Sequence, residues 1–195
     1  FDGVTNDPIR VFVQRYGWRG ILLEPHKPAF DALRANYADQ TQLILLNAAL
    51  ADRDGVRDFY HVRDDVPGLP GWSQQIGSFN RDHLMKHAYG IPEYGITETI
   101  PNIAEWIQTE PVRCITFNTL LDEFHIQRVD LLQIDAEGYD AEIVKMIPFR
   151  RIKPRIIRYE HMHLNPAQRE ACVRHLARHG YTIGLDYADT IAYLR

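Results

Sequence analysis

The chain has 195 residues, of which 45% are apolar and 25% charged, a balance typical of soluble globular proteins rather than disordered or fibrous ones. A formal net charge of −4 at pH 7 removes the broad electrostatic argument for nucleic-acid binding, and no apolar run approaches the roughly 20 residues that span a bilayer. Two cysteines without a CxxC pattern exclude a disulfide scaffold and favour a reducing, cytoplasmic location.

Strand-like apolar runs alternate with helical patterns, which predicts an α/β fold with a mainly parallel sheet covered by helices. In the first half, helices are predicted over 8–16, with Gly17 as its stop, and over 28–37, and strands over 20–25, 43–50 and 56–62. In the second half, strands are predicted over 114–117, 129–135 and 155–161, and helices over 119–124, 141–146 and 166–179. The runs 181–185 and 190–194 predict a terminal antiparallel hairpin.

Residues from about 63 to 110 interrupt this alternation, because glycine and proline recur there. Such a stretch inside a compact domain is typical of a lid or a substrate-binding insertion, so we expect residues 1–195 to form one domain with this insertion. Its aromatic side chains either form a wall against a sugar ring or polyketide, or pack as a satellite core. They include Trp72, Tyr89, Tyr94 and Trp106.

Polar residues stand at the carboxyl ends of four predicted strands: Glu24, Asn47, Asp135, and Glu160 with His161. Ligands of an open parallel sheet bind outside the carboxyl ends of its strands, so we expect these side chains to gather at one edge. Each residue alone also fits a helix cap or a solvated carboxylate.

Glu24 stands where a nucleotide-binding sheet carries the acidic residue that accepts both ribose hydroxyls. Such a site needs a glycine-rich turn after the first strand, and Gly3 has the position of the last glycine of that turn. The first strand and the earlier glycines would precede Phe1. We therefore expect the natural protein to extend upstream of Phe1.

Four segments carry a specific combination of motifs: 2–9 (DGVTNDPI), 17–25 (GWRGILLEP), 47–50 (NAAL) with 54–55 (DG), and 130–140 (DLLQIDAEGYD). Together with Tyr159-Glu160-His161 and the closing hairpin, they resemble the FkbM family of S-adenosylmethionine-dependent methyltransferases. The resemblance covers nearly the whole chain except the middle insertion. It implies a Rossmann-like class I methyltransferase fold, whose last strand is antiparallel, and S-adenosyl-L-methionine as cofactor.

The resemblance also implies residues that contact the methionine part of the cofactor. Asp2 and Gly3 would belong to the glycine-rich turn, with Asn6 in the same segment. Asp135 would stand beside the methionine moiety or the reacting centre. Ser78, in the insertion, is a further candidate for a cofactor contact.

On the adenosine side, the resemblance implies that Glu24 holds the ribose and that Pro25 lines the adenosine. Asn47, Ala48 and Ala49 would lie near the adenine.

The implied reaction is methyl transfer to a hydroxyl of a sugar, glycolipid or secondary metabolite, so the expected partner is a small-molecule or glycan acceptor. A base can assist by taking the hydroxyl proton, and His161 is the first choice because an imidazole titrates near neutral pH. Asp135, Glu137 and Glu160 are the alternatives, or they orient the imidazole.

Asp135, Glu160 and His161 could also bind Mg²⁺ or Mn²⁺, but no ligand spacing requires a metal, and none is expected. His161 and His163 can share one side of a strand, which is too little to indicate a zinc site. Other histidines are expected to be solvated: His83, His87, His175 and His179.

Two other functions remain open. An acidic residue at the end of the second strand also suits a nicotinamide-dependent oxidoreductase, although the chain has no Tyr-x-x-x-Lys pair. A non-catalytic domain that binds a partner or carbohydrate through the insertion is the third hypothesis.

Overall fold

A computed structural model describes residues 1–5, 7–90 and 97–194. Two residues singled out above, Asn6 and Tyr94, therefore lie outside the described residues. The chain divides into two compact units, Phe1–Arg57 with Pro111–Ile115, and Asp58–Glu110 with Thr116–Arg195. Among the described residues, no helix combines the length and apolar character needed to cross a membrane.

The first unit contains α1 (Arg10–Tyr16), β1 (Gly20–Leu23), α2 (Lys27–Asn36), β2 (Leu43–Leu46) and β3 (Ala49–Leu50). It also includes the start of β4 (Gly55–Val62) and the end of β6 (Ile107–Ile115). β1 pairs in parallel with β2, and β3 pairs in parallel with the end of β6.

Apolar side chains of both helices form the core of this unit. They are Val13 of α1, Phe30 and Leu33 of α2, and Tyr37, with Leu22, Leu43 and Leu45 packed against them. The predicted stop of α1 at Gly17 is confirmed: its φ of 62° is left-handed, a conformation that glycine adopts without a steric penalty.

The second unit contains the rest of β4 and β6 together with the remaining elements of the described chain. These are β5 (Gly77–Ser78), α3 (Arg81–Lys86), α4 (Ile103–Trp106), α5 (Phe117–Glu123), β7 (Leu131–Ile134), α6 (Asp140–Met146), β8 (Ile156–Glu160), α7 (Pro166–Arg178), β9 (Tyr181–Leu185) and β10 (Asp189–Leu194). Short 3₁₀ turns cover Gly71–Gln74 and His87–Tyr89.

The sheets are mixed, so the prediction of a mainly parallel sheet is not confirmed. In the second unit the strand order is β7-β8-β10-β9, with only β7 and β8 parallel. The predicted terminal hairpin forms, but β10 lies between β8 and β9 and is antiparallel to both. β4 and β5 are antiparallel as well.

The predicted strand over 43–50 is two strands with different partners. It breaks at Asn47, whose side-chain amide donates hydrogen bonds to the carbonyls of Glu24 (2.9 Å) and Pro25 (2.8 Å). This bends the chain after β2, and β3 then pairs with β6 instead of β1. The apolar run alone does not reveal the break, because both pieces are partly or fully buried.

Short elements and a local core occupy the described part of the segment 63–110. The buried members of that core are Val62, Ile76, Leu84, Ile100 and Ile103. Trp72 and Trp106 pack against it, and their indole nitrogens donate to Glu98 and to the Pro101 carbonyl. These two tryptophans thus form a satellite core, whereas Tyr89 is 80% exposed.

Gly3 and Gly17 provide a matched test of close packing in the first unit. Both have left-handed φ, 73° and 62°, but a Cβ on Gly3 would lie 2.4 Å from Tyr37 Cε2, whereas one on Gly17 would meet no atom within 4 Å. Gly3→Ala should lower the free energy of unfolding by about 2–4 kcal/mol, from backbone strain plus overpacking, and Gly17→Ala by only about 1 kcal/mol. Urea denaturation measures both, and equal losses would contradict the close contact.

Candidate functional site

The carboxyl ends of β1 and β2 bring Glu24 and Asn47 together. The sequence predicted one sheet edge for all four strand ends, but β1 and β2 belong to a different sheet from β7 and β8, so that single edge is not confirmed. Glu24 follows β1 directly, and its backbone nitrogen donates to the Leu46 carbonyl at 3.1 Å. Asn47 follows β2, and its side chain fixes the backbone of Glu24 and Pro25. The fully buried Ala48 and the nearly buried Ala49 come next along the chain.

The Glu24 carboxylate is well removed from solvent, with 9% of the residue exposed. One oxygen, Oε1, accepts a hydrogen bond from the backbone nitrogen of His26 at 2.8 Å. A carboxylate has two oxygens, so this shielded group can accept hydrogen bonds from a pair of hydroxyl groups.

Asp2 and Gly3 form a tight turn. The Asp2 carboxylate accepts hydrogen bonds from the backbone nitrogens of Val4 (2.9 Å) and Thr5 (2.7 Å) and from the Thr5 hydroxyl. Burial alone would raise the pKa of Asp2, but these hydrogen bonds outweigh it and hold the pKa below its ordinary value. Gly3 gives room to Tyr37 and Leu33, so its lack of a side chain serves packing within the protein.

In the second unit, the carboxyl ends of β7 and β8 carry Asp135, Glu160 and His161. The two strands are parallel, so these residues share one edge of the sheet. Asp140, at the start of α6, is fully buried and connects the two strand ends. Its Oδ2 accepts from the Ala136 nitrogen (3.3 Å) and its Oδ1 from the Glu160 nitrogen (3.2 Å).

The carboxyl groups at this edge hold their protons more tightly than ordinary carboxylates. Burial, together with the charge of Asp135, raises the pKa of Asp140 to about 7 and that of Glu160 to about 9. The same two causes raise the pKa of Glu137 well above its usual range. Part of Asp135 reaches solvent, yet desolvation by the surrounding protein also raises its pKa. Such groups can exchange protons near neutral pH.

His161 is positioned by the loop between β9 and β10 and by β10 itself. Its backbone nitrogen donates to the Ala188 carbonyl at 2.8 Å, and its Nδ1 lies 3.0 Å from the hydroxyl of Thr190 on β10. The residue is 8% exposed. Burial, with a smaller effect of the Arg169 charge, lowers the pKa of its imidazole. The ring is therefore neutral at pH 7 and able to accept a proton.

The comparison with known families identifies the family of the chain. The chain matches the methyltransferase FkbM domain over residues 2–183, nearly its whole length. This protein belongs to the FkbM methyltransferase family. The resemblance drawn from the sequence motifs is thereby confirmed. No curated protein and no solved structure gives a significant match.

Sequence reasoning about this FkbM-family chain overlooked a group of buried histidines. His83 and His87 were expected to be solvated, which is wrong: they are only 5% and 2% exposed. With His163 and Glu137 they bring four ligand-type atoms within 4.8 Å of one another. Residues four apart share one face of a helix, so the His-x-x-x-His spacing could have indicated that His83 and His87 lie close together. That face turns inward because the adjacent Leu84 lies in the core.

Desolvation sets the charge of these imidazoles. Burial lowers the pKa of His83 to about 3 and that of His163 to about 4, with further lowering from neighbouring charges, and it lowers the pKa of His87. All three rings are neutral at pH 7. By contrast, Asp135, Glu160 and His161 do not form a comparable group among the described residues.

Ser78 lies beside this group. Its side chain is buried, and its hydroxyl donates to the backbone carbonyl of Glu137 at 3.2 Å. It also accepts from the Asn80 nitrogen at 3.3 Å. Ser78 thus helps to fix the backbone of Glu137.

Proposed function

We propose that this FkbM-family methyltransferase uses S-adenosyl-L-methionine to methylate a hydroxyl of a sugar, glycolipid or secondary metabolite. The family match over residues 2–183 is the observation that carries the methyltransferase assignment. The arrangement of Asp135, Glu160 and His161 on one sheet edge supports a proton-accepting site for a hydroxyl acceptor. That residues 1–195 act as one methyltransferase domain stays a prediction.

Glu24 is proposed to hold the ribose of the cofactor. Its buried carboxylate follows β1 directly, and the two oxygens of a carboxylate fit the two adjacent hydroxyl groups of that sugar. Asn47 keeps the strand end in place through its hydrogen bonds to Glu24 and Pro25. Pro25, Ala48 and Ala49 are proposed to line the adenosine.

On the methionine side, Asp135 is proposed to contact the cofactor, since part of its side chain reaches solvent at the strand end. Asp2 and Gly3 keep their proposed place in the turn near the methionine moiety. For Ser78 we propose a positioning role in place of a cofactor contact, because its buried hydroxyl is used by Glu137 and Asn80.

When bound, S-adenosylmethionine supplies a methyl group already activated on a sulfonium. The protein then has to orient the acceptor hydroxyl, exclude water and take up a proton. We propose that His161 takes up the hydroxyl proton at Nε2. Thr190 holds the opposite ring nitrogen, so the orientation of the imidazole is fixed. Asp135 and Glu160 are proposed to orient the imidazole.

The acceptor is proposed to contact the insertion. Tyr89 is 80% exposed, and an aromatic ring suits the apolar face of a sugar.

Cofactor binding tests the proposal directly. Calorimetry on the natural polypeptide should show binding of S-adenosylmethionine and S-adenosylhomocysteine with a dissociation constant in the micromolar range. Glu24→Ala should weaken this binding by about 10- to 100-fold, because hydrogen bonds to a charged group contribute about 1.5–3 kcal/mol each. Glu170→Ala, which removes an exposed carboxylate of α7, should leave it unchanged.

The other hypotheses predict different results. Tight binding of NAD(P) with no binding of S-adenosylmethionine would overturn the proposal in favour of an oxidoreductase. Binding of the cofactor without methyl transfer to any hydroxyl acceptor would favour the non-catalytic domain.

Substitution of His161 separates proton transfer from cofactor binding. With labelled S-adenosylmethionine and a panel of glycans and hydroxylated metabolites, His161→Ala should lower kcat by about 100-fold or more and leave cofactor affinity nearly unchanged. His175→Gln, at a half-buried histidine of α7, is the matched control. An unaltered kcat in His161→Ala would exclude His161 as the base.

A further inference from the structure

Three histidines and a glutamate of the second unit have no part in the methyl transfer proposed above. We propose that His83, His87, His163 and Glu137 bind one divalent transition-metal ion of the zinc type. Three imidazole nitrogens and one carboxylate oxygen are a donor set that suits Zn²⁺ and disfavours Mg²⁺ or Ca²⁺, which prefer oxygen ligands. This assignment transfers Glu137 from the alternative bases to the metal ligands.

The spacing of the donor atoms fits a tetrahedral ion. With metal–ligand bonds of about 2.0–2.1 Å, neighbouring ligand atoms of a tetrahedron lie about 3.3 Å apart. Glu137 Oε2 lies 3.4 Å from His163 Nε2 and 3.6 Å from His83 Nε2. The three ring centroids are 4.7, 4.9 and 5.1 Å apart, and all four ligand-type atoms lie within 4.8 Å of one another.

Several donor atoms of the group are buried without a hydrogen-bond partner. Among the described residues these include His83 Nε2, His87 Nε2 and Glu137 Oε2. Each such atom costs about 1–3 kcal/mol when it is left unsatisfied. A single cation placed among them would satisfy all three, which no hydrogen bond between neutral imidazoles could do.

The tautomer of His87 fits metal binding. Its Nδ1 lies 3.0 Å from the backbone carbonyl of His83. A carbonyl only accepts, so Nδ1 carries the hydrogen and the neutral ring presents a lone pair at Nε2. A backbone carbonyl on the second ring nitrogen is the usual outer partner of a metal-binding histidine.

Charge also balances at this place. Glu160 Oε2 is buried without a hydrogen-bond partner and lies 3.6 Å from His163 Nε2. Glu137 loses its proton when it binds a metal, as carboxylate ligands do, and the positive charge of the ion then compensates this buried carboxylate.

The backbone is shaped to present Glu137. This residue has a φ of 47°, a left-handed conformation that costs a non-glycine residue about 1–2 kcal/mol. Gly138 follows with a φ of 84°, and a Cβ there would lie 2.8 Å from His83 Nδ1. The strained backbone of Glu137 directs its carboxylate towards the imidazoles, and the absence of a side chain at Gly138 leaves room for His83.

Four protein ligands make a closed site, which is typical of structural and not of catalytic zinc. His83 lies on α3 and His87 begins the turn after it, whereas Glu137 follows β7 and His163 follows β8. The ion would therefore fix the insertion to the strand ends that carry Asp135, Glu160 and His161. This role does not depend on which methyl acceptor the enzyme uses.

Zinc titration of the chelator-treated protein tests the site. We expect one equivalent of Zn²⁺, a higher Tm on binding, and with Co²⁺ the intense visible absorption of a tetrahedral complex. His83→Gln and His163→Gln should each weaken binding by more than about 100-fold, since loss of an outer partner alone costs about 10- to 100-fold. His175→Gln is the matched control, because its Nε2 is also buried without a hydrogen-bond partner.

The proposal would be overturned if Zn²⁺ bound only weakly, or if both histidine variants bound Zn²⁺ as tightly as the natural protein. It would also be overturned if the Co²⁺ spectrum indicated an octahedral complex. If the histidine variants do not fold, the stoichiometry and spectrum of the natural protein still decide. Gly138→Ala should also weaken zinc binding, whereas Gly180→Ala should not, because Gly180 has a φ of 91° with no atom within 4 Å of an added Cβ.

Discussion

The buried carboxyl group of Asp140 is the constraint on which the proposed site depends. It accepts hydrogen bonds from the backbone of Ala136 after β7 and of Glu160 at the end of β8. Parallel pairing of the two strands sets their register, and Asp140 then fixes the loop that leaves β7 against the end of β8. Without this link, the loop that carries Asp135 and Glu137 would not be tied to the strand end that carries Glu160.

Burial of these side chains shifts the pKa of the carboxyl groups and that of the imidazoles in opposite directions. Burial raises the pKa of Glu137, Asp140 and Glu160 and lowers that of His83 and His163. Neutral imidazoles can accept a proton or bind a metal, and protonated carboxyls can release one. Desolvation therefore keeps His161 and the three proposed metal-binding histidines neutral, whereas Glu137 has to release its proton when it binds an ion.

Local signals in the sequence predicted much of the fold. Gly17 as a helix stop, the run 166–179 as a helix and the hairpin of β9 and β10 are confirmed. The break at Asn47 and the mixed sheets were not predictable, because they depend on partners distant in sequence. The shared sheet edge of Asp135 and Glu160 could be predicted, because both residues lie at the carboxyl ends of neighbouring parallel strands. The burial of His83 and His87 could not be predicted, because the sequence does not show which face of α3 meets the core.

The unfolding free energy of the natural protein relative to Asp140→Asn, measured at pH 5 and pH 8, tests this account most directly. The pKa of Asp140 is raised from its ordinary value of 3.8 to about 7, so the folded protein keeps a proton that the unfolded chain releases. That stabilisation is complete below pH 3.8 and is lost as the pH rises through 7. The unfolding free energy of the natural protein, minus that of Asp140→Asn, should therefore fall by about 1–3 kcal/mol between pH 5 and pH 8. A constant or rising difference would contradict a buried, proton-holding link between the two strand ends.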